Sequence, residues 1–286
     1  MTTDIAGRAA AHFGPRGLRR LTPDETRDLP LPEDAVRALT EIGLPVQAGP
    51  YFTAAVPGEP LPLAGYAALK GLAGNGPADA GRFRLGGDHG AEICATPQGV
   101  EAVFVAVDAD PTPVNSSVPA FLACLLALDE HLPIMRTPGD RDPAAVYRSL
   151  REALLEIDGP ALADDEAWWP MVLEQVRHAM SFPFSVAFEV EDVMGDRRIE
   201  TEQARPGFHH PERVLWDRLS AKGVRPAQVT RIYTELEPCF LPGNYCATWL
   251  TRFPRAEFSY SFDYGDTAEE REQGLLALMR HAAEQD

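Results

Sequence analysis

The chain has 286 residues, 45% of them hydrophobic and 24% charged, with 43 Asp and Glu against 26 Lys and Arg for a formal charge of −17 at pH 7. That composition belongs to a globular protein with a sizeable core, and the length favours two domains. The acidic balance opposes non-specific adhesion to phosphate backbones, and the sequence offers no continuous apolar run of membrane-spanning length and no secretory signal at Met1-Thr2-Thr3-Asp4, so a cytoplasmic protein without a membrane partner is expected.

In chain order, Thr22-Pro23-Asp24-Glu25 is a capping pattern that opens a short helix. Val36, Leu39 and Ile42 recur at helical spacing over 32–42, and Gly43 closes that helix. Residues 51–56 read as a strand and 57–76 as a loop dense in Pro and Gly. Three strand-like runs follow at 82–85, 91–95 and 100–107, separated by turns at Gly86-Gly87-Asp88-His89-Gly90 and Thr96-Pro97-Gln98-Gly99, which predicts an antiparallel meander. Helices are predicted over 118–131, opened by Asn115-Ser116-Ser117, and over 143–157, with Val146, Leu150, Leu154 and Ile157 on one face.

The segments Ala35 to Pro45, Gly86 to Cys94 and Val114-Asn115-Ser116-Ser117-Val118-Pro119-Ala120-Phe121, in that order, resemble the SUKH superfamily of bacterial immunity proteins. The resemblance covers roughly residues 10–160. It implies an α+β module that binds a protein partner, such as a toxin or a regulator.

A polar, proline-containing joint at 158–166 leads into a helix over 168–179, whose Trp168 and Trp169 are expected to pack between the two halves. The domain division read here is 1–165 for the module, 166–180 for a connecting helix and 181–286 for a second domain. That second half predicts a hairpin (184–190 with 197–201), a helix over 211–221 with Pro211 at its first position, a strand over 229–236, a helix over 245–253 capped by Asn244, a strand over 258–264 and a helix over 267–284.

Two clusters in this half belong together chemically: His209-His210-Pro211-Glu212 at a helix start, and Glu237-Pro238-Cys239 at a strand end with Cys246 seven positions on. Of the four cysteines, Cys94 and Cys124 are isolated, and a close pair in a reducing compartment is more often a metal or catalytic site than a disulfide. Residues 181–286, with Thr234-Glu235-Leu236-Glu237-Pro238-Cys239 at the strand end, resemble the bacterial toxin-type nucleic acid or nucleotide deaminases of the cytidine-deaminase-like superfamily.

The resemblance implies an α/β three-layer sandwich and a zinc ion held by His210, Cys239 and Cys246, with Glu212 moving protons. The substrate it implies is a cytosine or adenine base in a nucleic acid or nucleotide. The chain departs from the family in having six residues between the cysteines instead of two, so Cys239 must bind from the loop and Cys246 from the helix. His209 is an alternative ligand or a supporting group, and Trp249, Tyr260 and Tyr264 pack the core or stack a base. Two other readings stand beside the enzyme: a non-catalytic immunity protein whose second half is a degenerate deaminase fold, and a purely structural zinc site.

Overall fold

The computed structural model describes residues 5–27, 29–72, 81–105, 109–137, 139 and 141–285, which fall into two units, Met1–Pro170 and Met171–Asp286. In the first unit α1 (Ile5–Phe13) precedes β1 (Leu18–Arg19) and α2 (Pro23–Thr26). The capping pattern forms as a reciprocal box: Thr22 Oγ1 accepts from the Glu25 N–H while the Glu25 carboxylate accepts from the Thr22 N–H. α3 (Glu33–Arg37) runs on as a π-helical turn over Ala38–Ile42 and stops at Gly43, whose φ of 90° a side chain would resist.

β2 (Leu44–Pro45) pairs back on β1. β3 (Gln47–Ala48) and β4 (Phe52–Ala54) are followed by α4 (Leu63–Leu69), β5 (Phe83–Gly87), β6 (Glu92–Thr96), β7 (Gly99–Val103) and β8 (Thr112–Asn115). Strands β3 to β8 form one six-stranded antiparallel meander in sequence order, wider than the three-stranded meander read from the sequence and taking in the strand read over 51–56. α4 is the other addition, inside the stretch read as loop. Leu63 and Ala67, one helical turn apart, bury against Cys94 and Val103, so tertiary burial overrides a Pro- and Gly-rich flank. Residues 73–76 of that loop and 106–107 of the last predicted strand lie outside the described residues.

Gly86 and Gly87 are strand residues, not the turn. A Cβ on Gly86 would meet the Thr53 carbonyl at 2.2 Å, so glycine lets β4 and β5 approach. The reversal falls on Asp88 and His89, with His89 at φ 75° and the Asp88 carboxylate accepting from the Ala91 N–H at 2.8 Å.

α5 (Val118–Arg136) and α6 (Pro143–Asp158) complete the module. Ser117 caps α5, its Oγ accepting from the Ala120 N–H. Asn115 instead turns inward: its Nδ2 donates to Asp158 Oδ2 and its Oδ1 accepts from Trp169 Nε1, both at 2.8 Å. The Trp168 indole N–H donates to Asp88 at 2.8 Å. Both indoles are fully buried and hydrogen-bond within the first unit. Each needed a polar partner in the core, and Asp88 and Asn115 are those partners.

α5 is strongly apolar without being a continuous apolar run, since Asp129, Glu130 and Arg136 interrupt it. At 19 residues and a mean hydropathy of 1.5 it is long and apolar enough to cross a membrane, yet Phe121, Leu125 and Leu128 are among its fully buried residues and it packs on α6, β3 and β8. It is the central core helix of this unit.

α7 (Trp168–Ser181) enters the second unit, which continues with β9 (Ser185–Glu191), β10 (Arg197–Gln203), α8 (Pro211–Ala221), β11 (Val229–Leu236), α9 (Cys246–Trp249), β12 (Glu257–Phe262) and α10 (Ala268–Gln285). The sheet order is β10-β9-β11-β12, antiparallel across the first three strands and parallel between β11 and β12. Alternation works as in a half-buried sheet: Val186, Phe188, Val190 and Ile232 face Leu215, Trp216 and Leu219 of α8 and Phe253. This mixed sheet with helices is compatible with a deaminase fold.

The helix expected over 245–253 is shorter; α9 passes into a 3-10 turn at Leu250–Arg252. Gly274 seats α10 on the chain after β12, since a Cβ there would lie 2.1 Å from the Asp263 carbonyl.

Candidate metal centre

The helix start, the strand end and the short helix α9 meet at one point. His210 is the N-cap of α8, Pro211 fills the first position where a missing N–H costs nothing, and Glu212 follows in the first turn. Cys239 sits in the loop after β11 and Cys246 opens α9. His210 Nδ1 lies 3.4 Å from Cys239 Sγ and 3.6 Å from Cys246 Sγ, and the three donor atoms lie within 4.8 Å of one another. A tetrahedral zinc with bonds of roughly 2.0 Å to nitrogen and 2.3 Å to sulfur separates such atoms by about 3.5 Å. The donor set therefore has the composition and spacing to hold zinc.

All three donors are buried, and so is Glu212, only 5% exposed, whose Oε2 has no hydrogen-bond partner among the described residues. Burial pushes the Glu212 carboxyl up from its ordinary value, against the pull of His210. The two thiols titrate as a pair. Burial raises both; at Cys239 the hydrogen bond from Cys246 and the charge of His210 outweigh it and hold that thiol well below the ordinary range, whereas Cys246, beside a thiolate, is driven up. A buried cysteine whose thiol is held low, facing an imidazole, is a soft ligand suited to a cation.

The seven-position step from Cys239 to Cys246 is bridged by a loop that the sequence did not explain. Asn244 does not cap α9. Its Oδ1 accepts from the His210 N–H at 2.9 Å, its Nδ2 donates to Gln175 Oε1 at 2.7 Å, and its carbonyl accepts from the Arg213 guanidinium. Gln175 closes the clamp by donating to the Pro242 carbonyl at 3.0 Å. Tyr245 then reverses the chain in the left-handed region, φ 43°, a conformation a non-glycine residue holds only when its surroundings fix it. Gln175, Asn244 and Arg213 thus position the ligand loop, and no local sequence signal marks them, because they lie 31 to 69 residues from their partners.

His209 lies outside the donor group; its Nδ1 is 3.4 Å from Asn244 Oδ1. Trp249 is flanked by the Arg213 and Arg252 guanidinium groups. Tyr264 is buried, 2.7 Å from His178 Nδ1 through its hydroxyl, and Tyr260 is 45% exposed.

His178 carries a testable consequence of its own. It is fully buried among Tyr264, Glu174, Glu272, Arg177 and Arg271, and burial, reinforced by Arg177, pushes it down from 6.5 to about 4. An unfolded histidine takes its proton near 6.5, so the neutral buried form contributes fully above that pH and its contribution is lost as pH falls from 6.5 towards 4, amounting to roughly 3 kcal/mol. Urea unfolding at pH 7, 5.5 and 4.5 is expected to show this loss, and His178→Asn to reduce the slope. An unchanged slope would remove His178 as its source.

An α+β module followed by a mixed-sheet domain with a buried His/Cys/Cys group defines an immunity-module and deaminase fusion. The SUKH-4 immunity protein family model matches residues 5–175 and the Xanthomonas-like deaminase model matches residues 184–281. The chain belongs to the SUKH-4 immunity protein family and carries a deaminase-family domain behind that module. No curated protein and no solved structure matches it.

Proposed function

We propose that the protein is a zinc-dependent hydrolytic deaminase acting on a cytosine or adenine base, carried by a nucleic acid or a nucleotide. The observation that carries this is the buried donor set, His210 Nδ1 within 3.4 and 3.6 Å of two cysteine sulfurs, beside a buried carboxylate oxygen with no partner. His210, Cys239 and Cys246 would hold the zinc, which would supply Lewis-acid activation of a water at neutral pH.

Glu212 does the proton work. Its free Oε2 takes the proton of the attacking water, hands it to the ring nitrogen and then serves the departing amine. One C–O bond forms, one C–N bond breaks and ammonia leaves. Glu212 needs no fixed partner for this role, since a carboxylate locked in a salt bridge could not accept and release protons. The cavity lined by Glu212, His210, Cys239 and Thr234 measures about 10 Å³, room for one water-sized occupant.

We place this chemistry in an α/β three-layer sandwich spanning 181–286, joined by a connecting helix at 166–180 to a SUKH-like binding module at 1–165, in a cytoplasmic protein. The module supplies a protein-binding surface for a toxin or regulator. Zinc content together with ammonia release over a panel of nucleosides, nucleotides, RNA, and single- and double-stranded DNA tests the reading. One zinc per chain and release from one base class are expected. A zinc-loaded protein inactive on the whole panel would overturn it.

A further inference from the structure

Beside the donor group a second, larger cavity of about 430 Å³ opens, within the range of small-ligand sites. Its walls come from one face of two parallel strands and from the ligand loop: Ile232 and Thr234 of β11, Phe258 and Tyr260 of β12, and Phe240 and Leu250 opposite. Thr234 and Glu237 line both this cleft and the small cavity with His210 and Glu212, so the two spaces are neighbours that share those residues.

Three features describe its ligand. Phe240, Phe258 and Tyr260 are 62%, 50% and 45% exposed, an accessible aromatic cluster of the kind that stacks flat rings. Thr234 is 3% exposed and its Oγ1 has no hydrogen-bond partner among the described residues; a buried hydroxyl without a partner is costly, and a ligand atom would satisfy it. The third is charge. None of the lining residues is Lys or Arg and one is Glu237, while the Tyr260 phenol is pushed up first by the Glu237 carboxylate and also by Asp263. Residues 171–286 hold 19 Asp and Glu against 13 Lys and Arg. Single-stranded nucleic acids are gripped by aromatic platforms set in a basic groove; here the platform is present and the lining is acidic.

We propose that this cleft is the base-recognition subsite and that it takes an uncharged nucleoside, its ring stacked on Phe258 and Tyr260 and one polar atom bonded to Thr234 Oγ1. The assignment rests on the deaminase reading and replaces its nucleotide or nucleic acid carrier with a free nucleoside, since the acidic lining disfavours a phosphate in the cleft. Thr234 is thereby a specificity-determining residue and Phe258 a stacking one.

The test is calorimetric titration of the full zinc-loaded chain in its Glu212→Gln form, so that ligand is not consumed. The probes are cytidine, adenosine, their 5′-monophosphates and a ten-nucleotide single strand, at low and high salt. One nucleoside is expected to bind with little salt dependence, its monophosphate about tenfold more weakly, and the oligonucleotide no more tightly. Thr234→Val and Phe258→Ala are each expected to weaken the nucleoside about tenfold. Phe258 is half exposed on an edge strand, which keeps the test open if the Thr234 variant fails to fold.

Tighter, salt-sensitive binding of the monophosphate or the oligonucleotide would overturn the proposal, as would no nucleoside binding or no loss in the Phe258 variant. Ammonia release by the wild-type chain separates the two claims. Nucleoside bound without ammonia from any substrate removes the deaminase reading and leaves the cleft, whereas ammonia from oligonucleotides alone keeps the deaminase and removes the nucleoside.

Discussion

Replacing Glu212 by glutamine is expected to lower deamination by about a thousandfold while one zinc per chain remains bound. Glutamine keeps the shape and fills the same buried volume in the first turn of α8, so the donor group is undisturbed. What it loses is the ability to take a proton, and positioned acid–base groups contribute about 10² to 10⁴ in rate. The upper part of that range applies because Glu212 would serve both the attacking water and the leaving amine. Ammonia release and metal content measured on the same sample decide it: turnover within tenfold of wild type would remove Glu212 from the chemistry, and loss of zinc would make it a ligand instead.

Cys239→Ser and Cys246→Ser are expected to lose the bound zinc and all measurable turnover, with the folded state of the second unit lowered but not abolished. A structural zinc site in a small domain supplies folding energy outright, on the order of 10 kcal/mol, and its loss unfolds the domain. Here Val186, Phe188, Leu215 and Ile232 form a core on the sheet, and Leu236, Tyr264, Leu275 and Leu278 pack beside Cys239 and Cys246, so the unit has apolar burial independent of metal. Cys124→Ala is the matched control, a buried thiol in the first unit pushed up to about 12 by its burial, and it should keep full zinc. Circular dichroism with metal analysis separates the cases. Complete unfolding of both serine variants would make the site structural, and retained zinc in either would displace that cysteine from the ligand set.

The limits of α8 and β11, Pro211–Ala221 and Val229–Leu236, were readable in the sequence because each carries strong local information: Pro at a helix start, Gly223 after its end, and a β-branched run ended by proline. The same locality made Thr22 recognisable as a cap and Asn115-Ser116-Ser117 as a helix opening, within which the structure selects Ser117. The residues that failed, Asn115 and Asn244, look like caps for the same reason. An asparagine before a helix carries the same local signal whether its amide turns back to its own chain or reaches 43 residues to Asp158 or 34 to the His210 N–H. Trp168 and Trp169 show the same ambiguity, since large buried aromatics fit any core.

Sequence by itself pointed to the two-part organisation, the family resemblances and the four candidate residues His210, Glu212, Cys239 and Cys246, because residue type and order carry the chemistry of a ligand set. Tertiary structure decided whether a seven-position step could return Cys246 to His210. It does so through Gln175, Asn244 and a left-handed Tyr245, contacts whose free energy exists only once distant segments have met. It also decided what lies beside the donor group, a cleft of aromatic and acidic residues drawn from β11, β12 and the ligand loop. A parallel strand pair brings Thr234 against Tyr260 across 26 positions of chain, and no periodicity within either strand records that pairing.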